Sequence, residues 1–429
     1  MDQIKKLLDR PDISAWTITE DRYSSTELFF IKDRLDMNRR ADVHEYQVQV
    51  FVDLSEGGER YKGDASFLLG ISDSEREIRQ KIDDAVFSAG FVKNKWYDLP
   101  ENEDGGYLEI KAFENQKDLK DRYDDIHHVL YKKYPYTSKV NSCEIFAVEG
   151  HRHVVTSKGT DVRYPHGGFT FELVTDSDGG AEPVEIFNGY DLTHIDVKEI
   201  ERIVDKQLME TEGRSLAVRN PKLEDRRVII SGDAVEEFFG FYLAQATDSM
   251  IYQKISKAKL GEPFLSDDAK ERLTIRIRPD LETSIEAAPV DKEGKRLSSY
   301  TMYEAGKVKN LRTSARYSHY MGIGNIGSCN TFEMDGGEKS LQEYAQGEYI
   351  EILAFSAFLM DETTGDLGGE FRLAKWVKDG EVRFITGGAI SENIFEIQDK
   401  MRYSKELEAR KHSIAPKAII LDHITVSGE

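Results

Sequence analysis

Along the N-terminal part of the chain the apolar positions change spacing, and each spacing predicts a different element. In "STELFFIKDRL" and "HEYQVQVFVDL" they recur at every second residue, clearest at Tyr46, Val48, Val50 and Val52, which is the pattern of half-buried strands. Ile78, Ile82, Ala85, Val86 and Ala89 then recur at helical spacing. Ser72 and Glu75 form a candidate capping box for that helix, and Gly90 is placed to end it. The polar stretch "LPENEDGG" (Leu99–Gly106) predicts a boundary. A second helix is expected near "NQKDLKDRYDDIHHVLYKKY". Short strands follow in "SCEIFAVEG", "RHVVTSKG" and "GGFTFELVTD", with "TSKG" and "PHGG" reading as turns. A third helix, "DVKEIERIVDKQLMET", has Asp196 and Glu199 as its cap, and "EGRSLAVRNPKLEDRR" reads as a linker.

From Leu273 onwards the pattern is mostly that of strands. "LTIRIRPD" alternates, while "DKEGKR", "EAGKVK" and "KDGEVR" are glycine-centred hairpin turns. "YIEILAFSAFLM" reads as a central strand and "KAIILDHITVSG" as a terminal one. Strands and helices in segregated runs predict an α+β fold rather than a doubly wound parallel sheet. The expected organisation is an N-terminal α/β domain over 1–105, a middle region of strands and helices over 106–220, and a strand-rich, mostly antiparallel C-terminal domain over 221–429.

Composition narrows the function. The formal charge is −21, from 58 basic and 79 acidic residues, and no basic run with interleaved aromatics offsets it. Such a surface repels phosphate backbones, so direct nucleic-acid binding is not expected. There is no apolar run of membrane-spanning length, and "MDQIKKLLDRPDISAW" lacks a signal-peptide apolar core, so a cytoplasmic protein is expected. Cys143 and Cys329 stand far apart with no C-x-x-C pair, which argues for reduced thiols rather than a disulfide or a thiolate metal site.

Three stretches offer candidate chemistry. "GIGNIG" (Gly322–Gly327) satisfies G-x-G-x-x-G but lacks the preceding strand and following helix that dinucleotide binding requires, so a glycine-permitted loop is expected. His151, His153 and His166 form the densest histidine group. On a strand, H-x-H projects both imidazoles to one face, and a hairpin could add the third, with Asp161 nearby. Solvated hairpin histidines are the alternative. Last, "VIISGDAVEEFFGFYLAQ" reads as a strand running into a helix whose Val235, Phe238, Phe239, Tyr242 and Ala246 share a core face. Asp233 and Glu236 form a capping box there, and Glu237 lies on another face with Phe241 four residues on.

Taken in order, this last stretch, "APVDKEGKRLSSYTMYEAGKVKNLRTSARYSHYMG", "GIGNIGSCNTFEM", "DETTGDLGGEFRLAKWVKDGEVRFITGGAISENIFE" and the closing "APKAIILDHITVSGE" resemble the C-terminal domain of the TldD/PmbA family. Its members are known as modulators of DNA gyrase and as metallopeptidases with their partner subunits. "HRHVVTSKGTDVRY" is similar to the family's middle region, and the first hundred residues are compatible with it. In the family's catalytic branch the helix carries H-E-x-x-x-H and a cysteine near the C-terminus adds a ligand. Here no histidine lies between His194 and His319 and no cysteine follows Cys329, so no register of the helix restores those ligands.

The resemblance therefore implies the metal-free PmbA (TldE) branch: a non-catalytic subunit, without a cofactor of its own, acting in peptide maturation or in degradation of unfolded peptides. A TldD-like partner would hold zinc or iron, as a heterodimer with this chain, or the chain would pair with itself. Glu236, Glu237 and Phe241 would mark a vestigial site helix. Arg316, Tyr317, Asn325, Asp366 and Phe371 are the positions where the resemblance places contacts to an unfolded peptide. The competing expectations are an autonomous metal-dependent hydrolase built on His151, His153 and His166, and a homodimeric peptide-binding protein.

Overall fold

The structure is a computed structural model, and it describes residues 1–103, 105–111, 113, 116–180 and 182–428. Asp104 of the expected boundary stretch, Asn115 at the head of the expected second helix and the closing Glu429 lie outside those residues.

The N-terminal layer is one seven-stranded sheet in the order β4-β3-β2-β1-β5-β6-β7. Its strands are β1 (Ala15–Ile31), β2 (Arg34–Glu56), β3 (Glu59–Gly70), β4 (Asn94–Lys95), β5 (Lys139–Thr156), β6 (Asp161–Ser177) and β7 (Val184–Leu192). All neighbours in it are antiparallel. Two helices, α1 (Asp2–Leu8) and α2 (Glu75–Ala89), cover one end of the sheet over Ile18, Val48 and Val50. At the other end α3 (Gln116–Asp121), α4 (Tyr123–Tyr131) and α5 (Val197–Ser215) cover Phe30, Ile145 and Phe171. The expected boundary near residue 105 is thus crossed by the sheet itself, because β1 pairs with β5 from Thr17↔Thr156 to Ile31↔Ser142.

Several local expectations shift. The capping box of α2 is Ser74 with Glu77, two residues beyond the pair suggested by the sequence. The helix expected over "NQKDLKDRYDDIHHVLYKKY" is split into α3 and α4 at Arg122, whose φ of −100° and ψ of 2° leave the helical region. "SCEIFAVEG" and "RHVVT" belong to one strand, β5, and "PHGG" lies inside β6 rather than in a turn. Gly150 misleads because it is there for close packing: a Cβ on it would lie 2.3 Å from the Arg22 carbonyl oxygen of β1. The expected linker 212–227 instead contains the end of α5, then β8 (Val218–Arg219) and the start of β9 (Leu223–Ser231).

The C-terminal half packs two sheets about one core. The larger, in the order β18-β21-β9-β14-β15-β16-β8, joins β8 and β9 to β14 (Tyr349–Met360), β15 (Asp366–Lys378), β16 (Glu381–Thr386), β18 (Arg402–Tyr403) and β21 (Ala418–Val426), with β17 (Gly388–Asn393) on β15. The smaller runs β12-β11-β10-β13-β20-β19, built from β10 (Ile275–Ile277), β11 (Tyr300–Glu304), β12 (Lys307–Val308), β13 (Phe332–Met334), β19 (Leu407–Ala409) and β20 (Ser413–Pro416). Between them lies α6 (Ala234–Gln245), followed by α7 (Asp248–Tyr252), α8 (Ala315–Met321), α9 (Leu341–Tyr344) and α10 (Ile394–Ile397). The hairpin turns fall where the glycines put them. Ala305 and Gly306 have φ of 47° and 80°, and Asp379 and Gly380 have 51° and 82°, both positive as a tight two-residue hairpin requires. The architecture is the expected α+β, strand-rich and mostly antiparallel.

Strand β14 is central only in its first half. Tyr349–Ile352 sits between β9 and β15, whereas Ala354–Met360 pairs with β15 alone among the described strands. That second half is apolar, with Leu359 exposed and Phe355 and Phe358 in contact at 4.9 Å.

Candidate functional site

Helix α6 forms because eight of its twelve residues, Ala234, Val235, Phe238, Phe239, Phe241, Tyr242, Leu243 and Ala244, are apolar or aromatic and buried between the two sheets. The aromatic side chains interlock edge to face. Phe241 meets Phe395 at 5.4 Å, Phe239 meets Tyr403 at 5.4 Å, and Tyr303 donates its hydroxyl to the Tyr242 carbonyl at 2.9 Å. The face that α6 turns to the two sheets is core. The donor set does not fit a metal: Phe, Tyr and Leu offer no ligand, and Glu237 is exposed beside the like charges of Asp233 and Glu236.

The capping box expected of Asp233 and Glu236 does not form. Asp233 takes a helical backbone, φ −69° and ψ −30°, and its side chain caps nothing. Glu236 reaches instead to the segment before β20. Its carboxylate accepts from His412 Nδ1 at 2.9 Å, from the His412 amide at 3.1 Å and from Ser413 Oγ at 2.5 Å. The other imidazole nitrogen, Nε2, lies 3.2 Å from Glu286. Held between two carboxylates, His412 is pushed up to about 9 by its bonds to Glu236 and then Glu286, against the opposing effect of burial. Burial pushes Glu236 upward, but the bonds from His412 and Ser413 outweigh it and hold the acid below its usual range. The group is an imidazolium clamp with both ring nitrogens engaged. His412 escapes local sequence reasoning because it lies 176 residues from its partner.

The histidine group of the competing reading is divided by strand geometry. His151 lies opposite Pro165 and His153 opposite Arg163, but His166 lies opposite Gly150. His151 and His153 therefore share one face of the sheet and His166 points from the other, where it meets Tyr23 edge-on at 6.4 Å. His153 is engaged by Asp161 at 2.7 Å and lies 3.4 Å from Glu20, which also takes His44 at 2.7 Å. No set of three His, Cys, Asp or Glu side chains among the described residues is grouped closely enough to hold a metal ion.

The expected peptide contacts are dispersed. Arg316 lies over the Tyr317 ring at 4.7 Å and donates to Asn94 Oδ1 at 2.7 Å, so Arg316 ties α8 to β4 of the N-terminal sheet. Asn325 accepts from Thr313 Oγ1 and the Gly327 amide, and so fixes the Gly322–Gly327 loop. That loop is followed by β13 rather than a helix, as expected of a loop that is not a dinucleotide site. Asp366 is exposed and accepts from Asn393 and Thr364, both at 2.8 Å. Phe371 is fully buried, so no peptide can reach it without unpacking the core.

Beside α8 lies a second group of acids. Asp248 accepts from the amide and hydroxyl of Ser314, and Glu293 accepts from the Ala315 amide at 2.8 Å. Burial, with neighbouring Asp291, pushes Glu293 up to about 7. Its folded-state value lies above its unfolded one, so the stability it confers is full below about 4.5 and is lost as pH rises through about 7. Glu293→Gln keeps an acceptor for Ala315 and removes the charge. It is expected to raise stability at pH 8 by about 2 kcal/mol while leaving pH 4 unchanged, as read from urea unfolding at both pH values.

Residues 224–428 match the PmbA/TldA metallopeptidase C-terminal domain. Among curated protein sequences none matches this one. Solved structures are similar along nearly the whole chain. TldE from Thermococcus kodakarensis is 18% identical with a TM-score of 0.75, covering 99% of this chain and 98% of its own. A candidate modulator of DNA gyrase from Bacteroides thetaiotaomicron VPI-5482 is 15% identical with a TM-score of 0.78, covering 100% and 97%. Another, from Thermotoga maritima MSB8, is 15% identical with a TM-score of 0.75, covering 99% of each chain. At such identities these likenesses speak for the fold, and the matched domain speaks for descent. Residues 224–428 are thus a C-terminal domain of the metallopeptidase-like TldD/PmbA family, within a fold that is similar to those solved structures along the whole chain.

Proposed function

We propose that this chain is a non-catalytic subunit of a TldD/PmbA-type metallopeptidase complex, acting on unfolded peptides beside a partner that holds the metal. The observation that carries this reading is α6: its core positions are apolar or aromatic, and its half-buried carboxylate, Glu236, is taken by His412 and Ser413 of the same chain. The helix supplies a wall, not a metal centre. The bare edge of β14, Ala354–Met360, supports a peptide-binding role, because an extended peptide can add to it as a strand through main-chain hydrogen bonds. An autonomous hydrolase on His151, His153 and His166 is not favoured, since the sheet turns His166 away from the other two. No described helix is long and apolar enough to cross a membrane.

The test is affinity capture of the full chain from its native extract, followed by metal analysis of the eluate. A second chain bearing H-E-x-x-x-H, with near-stoichiometric zinc or iron, is the expected result. A self-associated species carrying metal would overturn the proposal, and a metal-free homodimer would leave a peptide-binding protein in its place.

A further inference from the structure

A recess of about 390 Å³ opens between the β11–β12 hairpin and the Gly322–Gly327 loop, away from α6 and its clamp. Leu260, Leu311, Ile323 and Ile326 give it an apolar wall, and Lys307 and Lys309 stand on its rim. Lys309 pairs with Glu304 at 2.9 Å. Lys307 is exposed and makes no ion pair among the described residues, although it lies within electrostatic range of Glu304. In a chain of net charge −21, such a cationic rim is a local exception.

The three glycines of the loop differ in what the fold asks of them. Gly322 ends α8 in the left-handed region at φ 64°. Gly327 has φ 86°, and a Cβ there would lie 2.6 Å from Leu297. Gly324 has no positive φ, a Cβ on it would touch nothing within 4 Å, and it makes no hydrogen bond to a described residue. The fold does not require glycine at 324, and a bare backbone at the mouth of a recess lets a ligand's main chain come close. The loop is also held in place. Thr313 Oγ1 accepts from the amides of Ile326 and Gly327 at 2.8 and 3.1 Å, so the recess costs little to order on binding.

We propose that this recess receives the C-terminal end of an apolar peptide. The terminal carboxylate lies against Lys307 and the Gly324 amide, and the last side chain lies among Leu260, Ile323 and Ile326. An apolar pocket with few convergent polar groups suits such a ligand, and backbone amides with a lysine are a usual way to capture a free carboxylate. The proposal rests on the peptide-binding reading above and adds to it which end of the peptide is held.

The probe is a peptide ending in Ala-Ala-Leu, fluorescently labelled at its N-terminus, prepared as free acid and as C-terminal amide, and titrated against the full chain by anisotropy. The free acid is expected to bind at least about tenfold more tightly than the amide. Lys307→Glu is expected to weaken the acid by about tenfold or more and leave the amide unchanged, because it removes one charge-assisted contact. Gly324→Val should block both peptides with an unaltered melting temperature. Equal binding of acid and amide, no binding of either at millimolar protein, or acid binding untouched by both variants would overturn the proposal. If a metal-bearing partner is captured but acid and amide bind alike, the recess assignment fails and the subunit reading stands. If the acid binds selectively but the chain captures no partner, the recess assignment stands and the subunit reading fails.

Discussion

Phe241→Ala is expected to destabilise the protein by about 3–5 kcal/mol, the range for truncating a fully buried aromatic side chain. Phe241 has no exposed surface, and it touches Tyr242, Phe264 and Phe395 at ring separations of 5.4, 6.3 and 5.4 Å. Its removal opens a cavity between rings fixed by other elements, where collapse is limited. The control is Glu237→Ala, on the solvent side of the same helix, which is expected to stay within about 0.5 kcal/mol of the parent. Both are read from urea unfolding midpoints. Similar small effects for the two would mean that α6 is not the packing element described, and the proposal of a structural helix in the site's place would fall with it.

Glu236→Ala carries the second large effect, about 2–4 kcal/mol at neutral pH. It strips an acceptor from the His412 ring, the His412 amide and the Ser413 hydroxyl at once, and leaves the imidazolium only Glu286. The pH profile identifies the cause. His412 titrates higher in the folded protein than its ordinary 6.5, so the stability from the clamp is complete below about 6.5 and disappears as pH rises through about 9. The groups facing it are Glu236 from α6, Glu286 from the loop before the hairpin and Lys411 beside it, whose ammonium is turned 3.2 Å from Asp191 of β7. The parent should therefore lose about 1–2 kcal/mol between pH 6.5 and 9.5, a modest figure because the ring is partly solvated. Glu236→Ala should show a flatter profile over that interval. Glu236→Gln, which keeps an acceptor for Ser413, should fall between. A variant as stable as the parent, with the same pH slope, would refute the clamp.

What the sequence disclosed and what it hid divide along the distance between partners. The core face of α6, the hairpin turns at Ala305–Gly306 and Asp379–Gly380 and the span of β14 were legible, because each is set by neighbours within a few residues. That no histidine stands between His194 and His319 is a fact of the sequence itself. The duty of Glu236 was not legible. The local Asp-x-x-Glu pattern fitted a capping box, and nothing near it in sequence pointed to His412. The peptide contacts suffered similarly: Phe371 sits in a motif-like stretch, but its place in a strand packed against Gly388 decides its burial. The histidine group was misjudged by a single residue of parity, which in a strand is the difference between one face and the other. The nearest usable hint was the pair of late histidines, His412 and His423, in a chain otherwise poor in histidine after His194.

The position of β9 in its sheet has a consequence for how the chain is made. This strand takes β14 on one side in parallel register and β21 on the other in antiparallel register. The partner β21 is Ala418–Val426, made long after β9, which ends at Ser231. Until β20 and β21 have been made, one long edge of β9 is unpaired, and the aromatic face of α6 behind it lacks the strand β20 that closes over it. At about 5–20 residues per second that exposure lasts roughly ten seconds or more, long enough to reward a chaperone and to punish overexpression. A nascent chain truncated before Ala418 should accordingly emerge sticky and protease-sensitive, with its N-terminal sheet already formed.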